Sequence, residues 1–304
     1  MLYRPLGRTG MTVSEVGLGC ASYWGKPGFD EATAVRLVHE AVDHGVSFFD
    51  TGSSYARGEA EPRLGRALKG RDASRLVVAT KAGTRAAGGG RVVRDIALAS
   101  VVASVERSLR NLGLEAIPLL QLHGPGVEDF SEEYLDGLED LRRRGLVRAF
   151  GVNSFDPVVI DHVLGLPAFD TVMIDYNVLR PEREPLIARA AAAGKAVLAG
   201  MPLAMGHTGL QVLKLRGAQD FWYAARGLLR HRGEVARGAR FAFLGGVDGM
   251  TGAQAAVVYV LANPDVACAV VGTTRIGHLL DNLAASGKTL PPAVMTRIRR
   301  VQGR

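Results

Sequence analysis

Cysteine is nearly absent: Cys20 and Cys268 are the only two in 304 residues. That argues against a disulfide scaffold and against a four-ligand zinc site, and no metal is called for. The sequence also lacks any apolar run of the roughly 18 residues a membrane-spanning helix needs. Met1 to Pro5 offer no apolar stretch of the kind that opens a secretory leader. Aromatic residues make up 6% of the chain and lysines number six, while hydrophobic content of 47% and charged content of 22% are ordinary for a globular protein. A chain this long buries roughly 75% of its unfolded surface and needs no staples. These absences together point to a reduced, cytoplasmic protein with a conventional core.

The net charge of +7 raises the question of nucleic acid. The basic residues are scattered, however, and the densest cluster, Arg142-Arg143-Arg144, ends a predicted helix where positive charge complements the dipole. No zinc-finger spacing and no aromatic-basic RNA-binding motif accompanies it. Nucleic-acid binding is not expected, and the positive balance suits anionic cofactors and substrates.

What the chain does contain is an alternation of short apolar runs with segments of helical period. The runs are Val16–Gly19, Val46–Asp50, Leu76–Lys81, Ile117–His123, Val147–Gly151, Thr171–Asp175, Ala196–Ala199 and Ala267–Val271. Runs without polar alternation are what strands buried on both faces look like. Between them, Asp30 caps a helix running to His44 with Gly45 as its stop, a second helix covers 95–112, and Ser131 with Glu132 and Glu133 starts another. Eight such alternations predict an α/β protein, a (β/α)8 TIM barrel forming a single domain over 1–304. A doubly wound open sheet also fits the alternation. It predicts a GxGxxG turn after the first strand, and Gly17-Leu18-Gly19-Cys20-Ala21-Ser22 lacks the third glycine.

Two places interrupt the rhythm. Residues 1–15 read as an N-terminal hairpin turning at Gly7-Arg8-Thr9-Gly10. A long insertion after strand 7, about 203–250, separates that strand from its helix and is predicted to hold a helix over Gln219–Leu229 with Phe221, Trp222 and Tyr223. Gly88-Gly89-Gly90 reads as a mobile tip. Cys20 and Cys268 fall on neighbouring barrel strands but at opposite ends, so a disulfide between them is not expected.

Barrel enzymes gather their chemistry at the carboxyl ends of the strands. Here strand 2 ends in Asp50, strand 3 in Lys81 and strand 4 in His123, and Tyr55 follows Asp50 by five residues. A free phenol, with a pKa near ~10, holds its proton too tightly for acid catalysis at neutral pH. A nearby ammonium favours phenolate and is expected to lower that value, and an aspartate keeps the ammonium charged. A neutral histidine can donate to a carbonyl oxygen and orient it. Taken singly, each has an ordinary reading: Lys81 at the surface, Asp50 as a cap, Tyr55 in the core, His123 as a structural imidazole. Their place at the ends of three consecutive strands favours chemistry. Lys81 also fits a Schiff-base nucleophile in an aldolase-like barrel, against which its Asp50 partner counts.

These residues resemble the aldo-keto reductases along nearly the whole chain. Asp50-Thr51-Gly52-Ser53-Ser54-Tyr55 followed by Gly58-Glu59-Ala60-Glu61-Pro62-Arg63-Leu64-Gly65 is similar to that family's early signature, and Lys81 and His123 match the rest of its tetrad. The resemblance implies an enzyme that reduces an aldehyde or ketone with NADP(H), or with NAD(H), bound across a barrel with no Rossmann domain. It makes Asp50, Tyr55, Lys81 and His123 catalytic. It assigns Asn153 and Ser154 to the nicotinamide carboxamide, and Gly272, Thr273, Thr274, Arg275, His278, Asp281 and Asn282 to the adenosine end, with Arg275 and His278 near the 2′-phosphate. Cys20, Met201 and Leu203 are carried over as further cofactor contacts, and Trp24 and Trp222 as walls of the substrate pocket. Three positions depart from the family pattern: Asn153-Ser154 reverses the common order, Met173 stands where glutamine is frequent, and Gly200 where some relatives place a stacking tyrosine. A sugar or secondary-alcohol dehydrogenase, or a non-catalytic cofactor-binding regulatory subunit, would carry the same residues.

Overall fold

The computed structural model of the protein describes residues 1–25, 29–72, 75–87, 91–204 and 232–304. The N-terminal hairpin pairs β1 (Tyr3–Pro5) with β2 (Thr12–Ser14) antiparallel, Tyr3 opposite Ser14. The chain then alternates through β3 (Val16–Gly19), α1 (Glu31–Asp43), β4 (Phe48–Asp50), α2 (Ala60–Leu68) and β5 (Val77–Ala82). A second hairpin, β6 (Thr84–Ala87) with β7 (Arg91–Arg94), precedes α3 (Leu98–Leu112), β8 (Ile117–His123) and α4 (Glu132–Arg143). There follow β9 (Val147–Asn153), α5 (Pro157–Leu164), β10 (Thr171–Asp175), α6 (Glu184–Ala192) and β11 (Ala196–Gly200). The described part of the insertion contributes α7 (Arg232–Ala239), before α8 (Gly252–Leu261), β12 (Val266–Gly272), α9 (Ile276–Leu283) and α10 (Pro292–Gln302).

Strands β3, β4, β5, β8, β9, β10, β11 and β12 pair in parallel in that order and β12 closes on β3, giving the expected eight-stranded barrel. The side-chain period of two divides each strand between two cores. Phe48, Val77, Ala79, Leu119, Ala149, Met173, Leu198 and Cys268 fill the lumen. Phe49, Val78, Leu120, Phe150, Val152, Val172 and Val197 face outward and pack with the helices. The hairpin plugs the lower end, since Leu6 and Val13 are fully buried in the lumen cluster with residues that begin β4, β5 and β11. Arg4 locks it there by donating to Glu15 and to the carbonyls of Leu261, Asn263 and Val266. Cys20 and Cys268 are both buried free thiols.

Local chemistry explains the helix ends. The Asp30 carboxylate accepts from the Thr33 N–H at 2.7 Å, and Ser131 Oγ from the Tyr134 N–H at 3.2 Å, each capping its helix. Gly113 ends α3 in the left-handed region at φ +68°. Strand 2 begins two residues later than the apolar run, because the Val46 N–H still bonds the Ala41 carbonyl at the end of α1. Strand 5 extends two residues further than expected, to Asn153, which lies opposite His123. The helix over 95–112 starts at Leu98, since the Asp95 N–H closes the β6–β7 hairpin on the Gly83 carbonyl. That hairpin was not anticipated: its strands are short, largely exposed and rich in arginine, so they lack the apolar pattern of a buried strand. The Gly88–Gly90 tip and the helix expected over Gln219–Leu229 lie outside the described residues. No described helix is long and apolar enough to cross a membrane.

Candidate active site

Alternation along the strands aims one set of side chains into the upper mouth. Asp50 ends β4, Lys81 lies one residue from the end of β5, and His123 ends β8, with Gln121 two residues earlier on the same face. The structure brings Asp50, Lys81, Tyr55 and His123 together. The Lys81 ammonium, itself buried, donates to both Asp50 oxygens, at 2.5 and 2.6 Å, and to the Thr51 carbonyl at 2.9 Å. Gln121 Nε2 donates to Asp50 Oδ1 at 2.9 Å. Lys81 Nζ sits 5.0 Å from the centroid of the Tyr55 ring, and His123 meets that ring edge-on with centroids 5.7 Å apart. Gly52 permits this closeness: a Cβ there would lie 3.3 Å from the Tyr55 ring and 3.4 Å from Lys81 Cβ.

The loop carrying Tyr55 is held in a costly conformation. Ala56, Arg57 and Gly58 all have positive φ, at +54°, +61° and +93°, and the first two are not glycine. Ala56 packs on Gly25, where a Cβ would come within 2.9 Å of the Ala56 Cα.

Electrostatics separate Lys81, His123 and Tyr55. Burial works to lower the Lys81 ammonium, but the charges of Asp50 and Tyr55 and the bonds to Asp50 outweigh it, so Lys81 titrates above its ordinary value and stays charged. His123 is pushed down to about 4, by burial first and by the Lys81 charge second, and is neutral at neutral pH. Tyr55 corrects the sequence expectation. Burial raises the phenol more than the Lys81 charge lowers it, and the Asp50 charge adds to the rise, so the net direction is up. The ammonium is where it was expected, but it competes with a desolvation cost that the sequence does not display.

The residues expected to hold a nucleotide cofactor are spread along the same rim. Asn153 and Ser154 are buried at the end of β9; Asn153 Nδ2 uses one of its two N–H donors on the Met173 thioether at 3.0 Å, a weak acceptor easily exchanged for a carboxamide oxygen. Ser154 Oγ accepts from the Asp156 N–H. Met201 has φ +52°, its carbonyl accepts from Asn177 Nδ2, and Leu203 packs half-buried against the core. Across the mouth, Gly272 ends β12, Thr273 Oγ1 accepts from the Arg275 N–H, and Thr274 is half-buried. Arg275 stands at the N-cap of α9 with no side-chain cap there, and Arg275 and His278 are exposed. An exposed guanidinium beside free helix N–H groups suits a phosphate. The donor set thus fits a dinucleotide with a carboxamide at one end and phosphate at the other.

Other expected residues are placed differently. Both Asp281 oxygens are taken by Thr251 Oγ1 and Gln254 Nε2, each at 2.8 Å, tying α9 to α8. Asn282 is buried, and Cys20 is fully buried with burial raising its thiol. Trp24 is fully buried in the core outside the barrel lumen, with its ring 5.7 Å from Phe29. Trp222 lies outside the described residues. The sequence reading missed Gln121, Thr84 and Ser54. Gln121 had a legible signal, a polar residue inside an apolar run and two positions before His123. Thr84 and Ser54 had none.

A model of the Aldo/keto reductase family matches residues 15–302. The chain is 29% identical over 287 residues to the uncharacterized oxidoreductase YqkF of Bacillus subtilis (strain 168), covering 94% of this chain and 91% of that protein. Among solved structures it is similar to the holo form of aldo-keto reductase AKR11C1 from Bacillus halodurans, with TM-score 0.83, 28% identity, and coverage of 99% of this chain and 96% of the other. It is also similar to the glycerol dehydrogenase AKR11B4 from Gluconobacter oxydans, with TM-score 0.82, 25% identity, and coverage of 99% and 95%. Barrel, strand-end residues and family match agree: the chain belongs to the aldo/keto reductase family of oxidoreductases.

Proposed function

We propose that this protein reduces an aldehyde or ketone to an alcohol with NADPH, Tyr55 supplying the proton. The observation that carries the reading is the buried Lys81–Asp50 pair beside the Tyr55 ring, with neutral His123 on the ring's edge. Bound NADPH supplies a hydride to the carbonyl carbon. The rest of the work falls to the chain. The His123 imidazole offers an N–H to the carbonyl oxygen and orients it. Tyr55, held protonated by burial, gives up its proton only as that oxygen gains alkoxide character and becomes more basic than a phenolate. Lys81, fixed by Asp50, stabilises the phenolate left behind. Gln121 anchors Asp50 from the next strand.

Tyr55→Phe should lower kcat by about 10²- to 10⁴-fold, with unchanged affinity for NADPH measured by fluorescence. Undiminished turnover in that variant would remove Tyr55 from its role. Tight NADPH binding with no turnover by the natural chain, over a broad carbonyl panel, would instead support a cofactor-binding regulatory subunit.

The preference for NADPH over NADH rests on Arg275 and His278 at the start of α9 as the 2′-phosphate site. Arg275→Ala should raise KM for NADPH by about tenfold or more and leave KM for NADH nearly unchanged, because a charge-assisted contact to phosphate is lost only with the former. A preference unaltered by this change would refute the assignment. A second reading runs the same residues towards oxidation of a sugar or secondary alcohol, favoured by the similarity to the Gluconobacter glycerol dehydrogenase. Rates measured in both directions at fixed pH decide between them.

A further inference from the structure

A neutral imidazole carries one N–H and one lone pair, and which nitrogen holds the proton decides whether the ring can donate to a carbonyl oxygen. His123 Nδ1 lies 3.3 Å from Thr84 Oγ1, and Thr84 Oγ1 lies 2.9 Å from Ser54 Oγ. The two hydroxyls come from different segments: Ser54 immediately precedes Tyr55, and Thr84 opens β6 three residues after Lys81. Ser54 is buried, and Thr84 is its hydroxyl's only side-chain partner among the described residues.

If Thr84 Oγ1 accepts from both neighbours, its own hydroxyl hydrogen has no acceptor among the described residues; with Thr84 both giving and accepting, the row runs in one of two directions. In one, His123 Nδ1–H donates to Thr84 and Thr84 donates to Ser54. The buried Ser54 hydroxyl hydrogen is then left without an acceptor among the described residues, and the Nε2 lone pair is what remains for a substrate. In the other, Ser54 donates to Thr84 and Thr84 donates to Nδ1. Every hydroxyl hydrogen is then used, and the imidazole proton sits on Nε2. An unsatisfied buried donor is costly, whereas a spare hydroxyl lone pair is cheap, so the second direction prevails. We infer that Ser54 and Thr84 form a positioning relay that holds the His123 proton on Nε2, ready to donate to the substrate carbonyl. The inference rests on the carbonyl-reduction reading for its purpose, but the relay itself is a property of the resting protein.

Nitrogen-15 NMR of histidine-labelled protein at pH 7, with the His123 signals assigned by their loss in His123→Gln, reads the tautomer directly. The natural chain should show the Nε2–H form. In Thr84→Val the Nδ1–H form should grow and kcat should fall by about tenfold with little change in KM, a fraction of what loss of a whole oxyanion donor costs. Thr84→Ser, which keeps the hydroxyl, should restore both the tautomer and the rate. Ser54→Ala should shift the tautomer ratio in the same direction as Thr84→Val and serves as an independent variant. An Nδ1–H form in the natural chain overturns the relay, as does a tautomer unchanged in both Thr84→Val and Ser54→Ala. If no carbonyl is reduced at all, the proposed reaction fails while the spectrum still judges the relay.

Discussion

His123 shows how one half-buried side chain links the proposed chemistry to stability. Its folded pKa of about 4 lies below the ordinary histidine value, through burial and then the Lys81 charge. Between those two values the unfolded chain binds a proton that the folded chain refuses, so stability rises with pH across that window and is level above about pH 6.5. Lowering the pH from 7 to 5 should therefore cost about 2 kcal/mol through this residue alone. Urea denaturation at the two pH values should show that difference shrink in His123→Gln, and an unchanged difference would mean that His123 does not resist protonation. The same residue scale exposes a tension in Tyr55. Its phenol is kept protonated by the desolvation that makes it a weak acid, so the Lys81 charge matters most after the proton has left.

At the scale of elements, the turn from Tyr55 to Gly58 stores strain next to the proposed proton donor. Ala56 at φ +54° adopts a conformation costing an L-residue about 1–2 kcal/mol. Ala56→Gly removes that cost but gives the unfolded chain more freedom, worth about 0.4–1 kcal/mol in the other direction. The relief is the larger of the two, so the variant should be more stable by up to about 1 kcal/mol in urea denaturation. A clear loss of stability would show that the Ala56 methyl, packed against Gly25, contributes more than its backbone costs. The β6–β7 hairpin has a comparable reach. Its first residue touches His123, and its last is bonded beside the loop after β8, where Arg94 pairs with Asp129.

For the whole molecule, closure of the barrel separates a structural end from a chemical one. Leu6 and Val13 of the hairpin fill the lower lumen, while the ionisable groups occupy the upper mouth. Leu6→Ala should therefore leave a cavity costing about 2–5 kcal/mol, seen in chemical denaturation, with KM and kcat of the surviving folded enzyme nearly unchanged. A large change in either kinetic constant would mean that the plug communicates with the mouth. The sequence by itself determined the barrel and most of its rim. A strand buried on both faces must be apolar throughout, so eight short runs between helical stretches mark the order of elements. A side-chain period of two then places Asp50, Lys81, Gln121 and His123 on one inner face. Only the tertiary structure decided that Tyr55 titrates upward, that Trp24 packs inside, that Asp281 fastens α9 to α8, and that Ser54 and Thr84 reach His123. Periodicity is written within a few neighbouring residues, whereas burial and hydrogen bonds between distant segments are sums over the closed fold.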